Sequence, residues 1–441
     1  MAEDKGPGGT PGGTPVGGGR RLIDDCFVHD KDRLRHDDAL ALIRSRVGPV
    51  KDTETVRLED AAGRILAEPV SSSLTVPPND NSAVDGYAFR HSDYDETGGW
   101  FAVSDRIAAG HPTARALQPG ATARIFTGAI MPEGGDTVAM QEDCEVHEQD
   151  GKPFVVIPPG LKAGANRRKA GEDLAKGDPI AGRGQTLRAQ DVAAIASTGV
   201  AEIKAFERLK VALVSTGDEI IRPGETAQGG QSYDSNHFLL RALLQPLGAQ
   251  ITDLGVLADD AGLIGATLAD AAASHDAVIT TGGASRGEED HLLDSLDRLG
   301  RRHMWQLAVK PGRPMMFGQI GDCAFLGLPG NPVAAFVCFL LYARPVLLTL
   351  GGGTWPEPQR FAVPAAFEIA NKKPDRREFL RGRLERRDGM LHVAKFERDG
   401  SGLITSLREA DGLIELDEDC RQVAIGDSVS FIPFSQFGLG T

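Results

Sequence analysis

The chain's 441 residues, 41% of them hydrophobic, can bury several cores, so roughly two to four domains are expected rather than one. A net charge of -14 excludes general binding to nucleic acid or to an anionic membrane surface, since a polyanionic partner would be repelled except at a local basic island. The five cysteines, Cys26, Cys144, Cys323, Cys338 and Cys420, are widely spaced and odd in number, which reads as a reduced, cytoplasmic thiol set.

Residues 1–20, mostly Gly, Pro and Thr, carry too little apolar side chain for a core or a signal peptide and read as a disordered tail. From 32 to 67 the spacing of Ala39, Leu40, Leu42, Ile43 and Val47, then Val56, Leu58, Ala61, Ala62, Ile65 and Leu66, predicts helices with a polar connection. Pro77-Pro78-Asn79-Asp80-Asn81 is turn chemistry. Beyond it, β-branched and aromatic residues broken by Gly and Pro predict a small β-rich domain reaching about residue 159, with strands at 102–103, 123–126, 137–140 and 154–157.

A helical piece at 189–198 and a connector through Phe206 lead to the strongest pattern in the chain. Residues 211–214 read as an all-apolar strand, 236–244 as a helix, 251–256 as a strand, 259–274 as a helix with an acidic cap, and 277–280 as a strand. That alternation means right-handed βαβ units and a parallel sheet. The longest apolar run, 333–341, stops at Tyr342, Arg344 and Pro345, short of the roughly 20 residues a bilayer span needs, and reads as a buried helix. After the linker-like Gly351-Gly352-Gly353-Thr354-Trp355-Pro356, alternating apolar and polar residues predict a C-terminal β domain or barrel.

Ligands in open parallel sheets lie outside the carboxyl ends of the strands. Three glycine-bearing loops emerge there: Ser215-Thr216-Gly217-Asp218-Glu219, the 282–290 loop (Gly282, Gly283, Ser285, Glu288, Glu289, Asp290), and Lys310-Pro311-Gly312-Arg313-Pro314 followed by Leu328-Pro329-Gly330-Asn331-Pro332. Carboxylates from separate loops can converge on one hard cation, and magnesium needs only one or two of them besides phosphate oxygens. The plainer reading is that these acids cap helices; it is preferred for Glu289, and a functional one for Glu219 and Asp290. No paired Cys/His ligand spacing occurs among the ten histidines, so a transition metal on soft protein ligands is not expected.

Gly282, Gly283 and Gly287 allow backbone amides to approach an anion. Asn331 can cap the helix opened by Pro332. Lys310 and Arg313 bracket a rigid turn, a useful trait for a small oxyanion. A basic island spans 372–388, where eight basic residues face four acids. Such a run is most simply a solvated face. Within it, period-two alternation puts Arg381 and Arg383 on one face of a strand, and spacing does not decide which points at a ligand. Together these loops suit a metal-bridged phosphate ester and a second anion.

These segments, with Asn81-Ser82-Ala83-Val84-Asp85-Gly86-Tyr87-Ala88, Phe126-Thr127-Gly128-Ala129 and Gly171-Glu172-Asp173, resemble the molybdopterin molybdenumtransferases, in order and from about residue 30 to the C-terminus. The resemblance implies a multidomain α/β plus β fold. Its parts would be an elongated domain of 21–76 and 174–206, a β-rich lid at 77–173, a parallel-sheet molybdopterin-binding domain at 207–352, and a barrel-like β domain at 353–441. It further implies a homodimer whose active site lies between the α/β domain of one subunit and the lid of the other. The substrates would be adenylylated molybdopterin and molybdate, with Mg2+ as cofactor and AMP as a product.

Family roles carried over by position make Asp85, Thr127, Asp173, Glu219 and Asp290 the catalytic set, with Glu219, Asp260 and Asp290 at the metal. The substrate and anion contacts are Ser215, Thr216, Gly217, Gly282, Gly283, Ser285, Lys310, Arg313, Pro314, Asn331, Arg381 and Ser401. Many relatives have Lys where Arg313 stands and Ser where Ala334 stands, so the donor geometry changes at one edge of the anion site and a hydroxyl is missing from it. Soft sulfurs for molybdenum come from the pterin, so the lack of paired cysteines is no objection. Two other readings are a non-catalytic scaffold on the same fold and the adenylyltransferase of the preceding step. The scaffold relatives carry a further domain and a long linker not expected here, and the lid and C-terminal domains argue against the adenylyltransferase.

Overall fold

The computed structural model describes residues 33–282 and 291–440. The expectations for the 1–20 tail and for Gly283, Ser285, Glu288, Glu289 and Asp290 fall outside the described residues.

Strands Gln250–Leu257, Lys210–Thr216, Ala277–Thr281 and Cys323–Leu328 lie side by side in that order and run parallel, as the βαβ pattern predicts. Met316–Ile320 and Arg301–Trp305 extend the sheet as antiparallel strands. Successive residues point to opposite faces. Val211, Leu213, Ala277 and Ile279 therefore pack with Leu240 and Leu244 of helix Ser235–Leu244 and with the apolar helix that follows Pro332. Ala212, Val214 and Val278 pack with Ile264 and Leu268 of helix Ala261–Ser274 and with Leu292 and Leu296 of helix His291–Leu299. Burial on both faces is why these strands read as unbroken apolar runs.

The apolar helix does not stop at Pro345. It runs over Pro332–Cys338, passes through a π turn at Phe339–Ala343 and continues as Arg344–Leu350. Arg344 N donates to Phe339 O across that turn, which lets the chain accommodate a proline without an amide hydrogen. The 19-residue helix Pro332–Leu350 has the length and composition of a membrane span, but 83% of its most apolar window is buried inside the protein.

The first predicted helix is present as His36–Arg46. The second is not. Thr53–Arg57 is a strand paired antiparallel with Glu202–Phe206, followed by a single 3-10 turn at Leu58–Asp60. The β-branched Thr53, Thr55 and Val56 favour the extended form. Val56, Ala61 and Leu66 then share one core with Leu187, Ile195 and Ile203.

The β-rich segment forms a six-stranded sheet in the order Thr137–Met140, Gly86–Phe89, Ala121–Ile125, Gly99–Ile107, Lys152–Ile157, Glu145–Gln149. In the C-terminal part, Arg377–Arg387 pairs with Gly412–Leu416, which pairs with Ser428–Pro433, which pairs with Phe361–Pro364. Met390–Lys395 pairs with the other edge of Arg377–Arg387, and a bridge between Ala365 and Val393 closes the ring into a barrel-like sheet. Val309–Lys310 adds to Arg377–Arg387 in parallel, with Lys310 opposite Glu378. That short strand ties the α/β sheet's loop to the C-terminal sheet.

Candidate active site

Two adjoining cavities lie at the carboxyl ends of the parallel strands. The first, about 640 Å³, is lined by Ser215, Thr216, Glu219, Asn236, Thr281 and Gly282, among others. Gly282 follows its strand with φ +94, and a Cβ there would come within 2.6 Å of Thr216 O, so the two strand ends can approach this closely only with glycine at that position. Asn236, near the start of helix Ser235–Leu244, donates its Nδ2 to Thr281 Oγ1 and to Gly330 O, both at 2.7 Å. One amide thus pins two of the loops together.

Ser215 Oγ, Thr216 Oγ1 and Asn236 Oδ1 are buried and have no hydrogen-bond partner among the described residues. Buried polar groups are normally satisfied, so three unpartnered oxygens in one cavity are open to bonds that a ligand could supply. The exposed Glu219 carboxylate stands over Gly217, with no ion pair or side-chain hydrogen bond among the described residues. Asp218 is committed elsewhere, accepting from Asp259 N at 3.0 Å.

The second cavity, about 480 Å³, is lined by Lys310, Arg313, Arg376, Arg381, Asp399 and Ser401, with Arg33 and Ala334 also on its wall. Arg381 is the arginine that faces inward. It is 5% exposed, donates Nε to Ser406 Oγ (3.1 Å) and Nη2 to Arg398 O (3.1 Å) and Gly400 O (3.3 Å), and burial lowers its pKa. Arg383 is exposed and lines neither cavity. Lys310 Nζ is 3.9 Å from Glu378, and Arg313 Nη2 donates to Gln306 Oε1 at 3.3 Å. Burial raises the Asp399 pKa, but the bond from Lys395 and the charges of Lys395, Lys310 and Arg381 outweigh it and lower the value. Ser401 O accepts from Val333 N at 3.0 Å, anchoring this loop to the helix start.

Pro314, Pro329 and Asn331 belong to the walls of both cavities. Asn331 occupies the N-cap position, but its side chain makes no capping bond. The amide is left on the boundary between the cavities. Much of the basic island is structural: Arg377 pairs with Asp37, Glu415 and Glu418, and Lys372 Nζ donates to Arg376 O.

The remaining sequence-selected residues lie apart. Thr127 N and Oγ1 both donate to Asp85 Oδ1, at 2.8 and 2.7 Å, and these two bonds, backbone first, hold the Asp85 carboxyl below its ordinary pKa. They meet because Gly128 N bonds to Ser82 O and Ser82 N to Ala129 O. Asp85, Thr127 and the exposed Asp173 line neither cavity of their own chain. Asp260 caps helix Ala261–Ser274, accepting from Leu263 N at 2.7 Å, and also lines neither cavity. Sequence reasoning passed over Asn236, Asp399 and Arg33. An Asp-Ser-Asn triplet opening a helix beside the strand ends was the available signal for Asn236.

Three family models match the chain: the MoeA N-terminal region (domain I and II) over residues 34–199, a probable molybdopterin binding domain over 212–349, and the MoeA C-terminal region (domain IV) over 363–434. A molybdopterin molybdenumtransferase of Haemophilus influenzae is 36% identical over 385 residues, spanning 87% of this chain and 94% of that protein. One from Nostoc sp. is 35% identical over 375 residues, spanning 83% and 85%. The crystal structure of a molybdopterin biosynthesis moeA protein from Pyrococcus horikoshii matches with a TM-score of 0.76 at 27% identity, covering 91% of this chain and 100% of that one. With these models and relatives matching along most of its length, the chain belongs to the molybdopterin molybdenumtransferase (MoeA) family.

Proposed function

We propose that the protein is a cytoplasmic transferase that inserts molybdenum, delivered as molybdate, into adenylylated molybdopterin and releases AMP. The observation that carries this reading is the pair of cavities sharing Pro314, Pro329 and Asn331. One offers buried hydroxyls, an amide oxygen and a carboxylate; the other offers cations. A nucleotide-bearing dithiolene in the first would then present its sulfurs to an oxyanion in the second. Hydroxyl and backbone donors orient the phosphates, and Lys310, Arg313 and Arg381 neutralise and hold the tetrahedral dianion.

The donor set fits magnesium bound mainly through substrate phosphates. Glu219 lines the cavity with no ion pair among the described residues, Asp290 is the second carboxylate of this reading, and no cluster of three or more His, Cys, Asp or Glu builds a protein cage among the described residues. When bound, the ion would offset charge on the phosphoanhydride oxygens. Glu219 is the better placed of the two, since it lines the cavity while Asp260 lies outside it and caps a helix through Oδ1.

In this reading the functional unit is a homodimer in which Asp85, Thr127 and Asp173 of a partner's lid complete the site, supported by their absence from both cavities of their own chain. The domain division given above goes with it. The test is AMP release from adenylylated molybdopterin, measured with and without magnesium and molybdate. Release that needs both, lost in Asp290→Asn, supports the proposal; no release under any combination overturns it.

A further inference from the structure

Arg33 stands on the wall of the cation-lined cavity, where no recognised motif places it. It is held there by its neighbour. Leu34 forms a parallel bridge with Leu307, its amide donating to Gln306 O (3.4 Å) and its carbonyl accepting from Ala308 N (2.8 Å). The Leu34 side chain packs against the main core, so the strap is fixed by burial as well as by hydrogen bonds.

Gln306 joins this strap to Arg313. Its carbonyl takes the Leu34 amide, its Oε1 takes Arg313 Nη2 at 3.3 Å, and its own amide donates to Met315 O at 3.3 Å. Gln306 adopts φ +72, a left-handed conformation that costs free energy for a residue with a side chain and persists only where the surroundings impose it. The same residue thereby sets the positions of the segment carrying Arg33 and of Arg313.

The charges in the cavity are unequally spent. Arg381 already spends its Nε and Nη2 on Ser406, Arg398 O and Gly400 O, leaving Nη1 without a bond among the described residues, and Asp399 is paired with Lys395 at 3.0 Å. Among the described residues, the Arg313 side chain meets only the neutral Gln306 amide, and Arg33 has no ion pair or hydrogen bond. Such charges suit a dianion.

We propose that Arg33 is a further oxyanion-binding residue of this cavity, held by the Leu34–Leu307 strap and acting beside Lys310 and Arg313; this rests on the oxyanion reading of the preceding section. Arg35 provides the control. It lies two positions along the chain, pairs with Asp375 at 3.8 Å and lines neither cavity.

The test is calorimetric titration of the full-length protein with sodium molybdate. Arg33→Gln should weaken binding by about fivefold, the modest effect expected of a solvent-accessible charge. Arg33→Lys should recover part of the loss, because it keeps the charge without the fork. Arg35→Gln should bind as the wild type does, and Arg313→Gln should lose most of the affinity. Unchanged affinity in Arg33→Gln, or equal weakening in Arg33→Gln and Arg35→Gln, overturns the assignment of Arg33 alone. Absence of saturable binding by the wild type, or full binding by Arg313→Gln, overturns the oxyanion cavity itself.

Discussion

Replacing Gly217 by alanine perturbs the strand-edge cavity at one defined atom. Gly217 has φ +133, and a Cβ built on it comes within 2.6 Å of Glu219 Oε2 and 3.0 Å of its carboxyl carbon. Relaxed contacts lie near 3.5 Å, so the carboxylate must withdraw by about 1 Å. The side chain is flexible and the clash is therefore cheap to relieve. The cost falls on position: a shift of about 1 Å in a group acting on a bound substrate lowers the rate by about a hundredfold. Backbone strain adds about 1–3 kcal/mol and is read separately, as a lower melting temperature.

Initial rates of AMP release and melting curves distinguish the two effects. The account predicts that kcat/KM falls about a hundredfold in Gly217→Ala. Glu219→Gln should lose a comparable factor without the melting change, and the double variant should lose little more than Glu219→Gln, because both substitutions act through one carboxylate. Wild-type turnover by Gly217→Ala would refute the claim that the carboxylate works from its present position. Full additivity in the double variant would refute a shared route.

In Arg381→Lys the charge stays but the bonds to Ser406, Arg398 O and Gly400 O are lost, so the 398–401 loop should loosen and KM for molybdate should rise severalfold; an unchanged KM counts against that loop shaping the anion site. Thr127→Ala removes the hydroxyl that, with its backbone amide, keeps the Asp85 carboxyl low; its pKa should rise, moving the acid limb of the pH–rate profile to higher pH, and an unmoved limb removes Asp85 from the chemistry. Burial drives the His36 pKa from 6.5 to about 4, beside Tyr342 OH at 2.6 Å from its Nδ1. The unfolded chain takes up a proton below pH 6.5 while the folded chain does not, so stability falls as pH drops from 6.5 towards 4, by about 3 kcal/mol at full extent. Denaturant titrations at pH 7 and 4.5 should show a smaller fall for His36→Gln; equal falls contradict the reasoning.

Two central strands of the α/β sheet, Lys210–Thr216 and Ala277–Thr281, were legible because burial on both faces writes them as continuous apolar runs, whereas Met316–Ile320 and Cys323–Leu328 of the same sheet were not among the predicted strands. The segment 53–66 was not legible either, since Leu58, Ala61, Ala62 and Ile65 recur at i, i+3, i+4 and i+7 and so satisfy a helical spacing although the chain forms a strand followed by a turn. The strand Gly86–Phe89 escaped notice because Gly86 is a poor strand former; it is required there, since any Cβ would collide with Ala139 O of the next strand. Among the site residues, Lys310, Arg313 and Glu219 were found from turn chemistry next to strands. Arg33, Asn236 and Asp399 reach the cavities through long-range packing, the Leu34–Leu307 bridge and the Asn236 bonds to Thr281 and Gly330, which no local pattern encodes.

The central claim is that a small oxyanion occupies the cavity next to the strand-edge site. Anomalous diffraction from molybdenum in crystals soaked with molybdate tests it most directly. The account predicts one strong peak between Lys310, Arg313 and Arg381, on the side of Asn331 that faces away from Glu219. A peak elsewhere, such as the separate cavity beside Trp355 and Arg360, with none at Lys310, would contradict it.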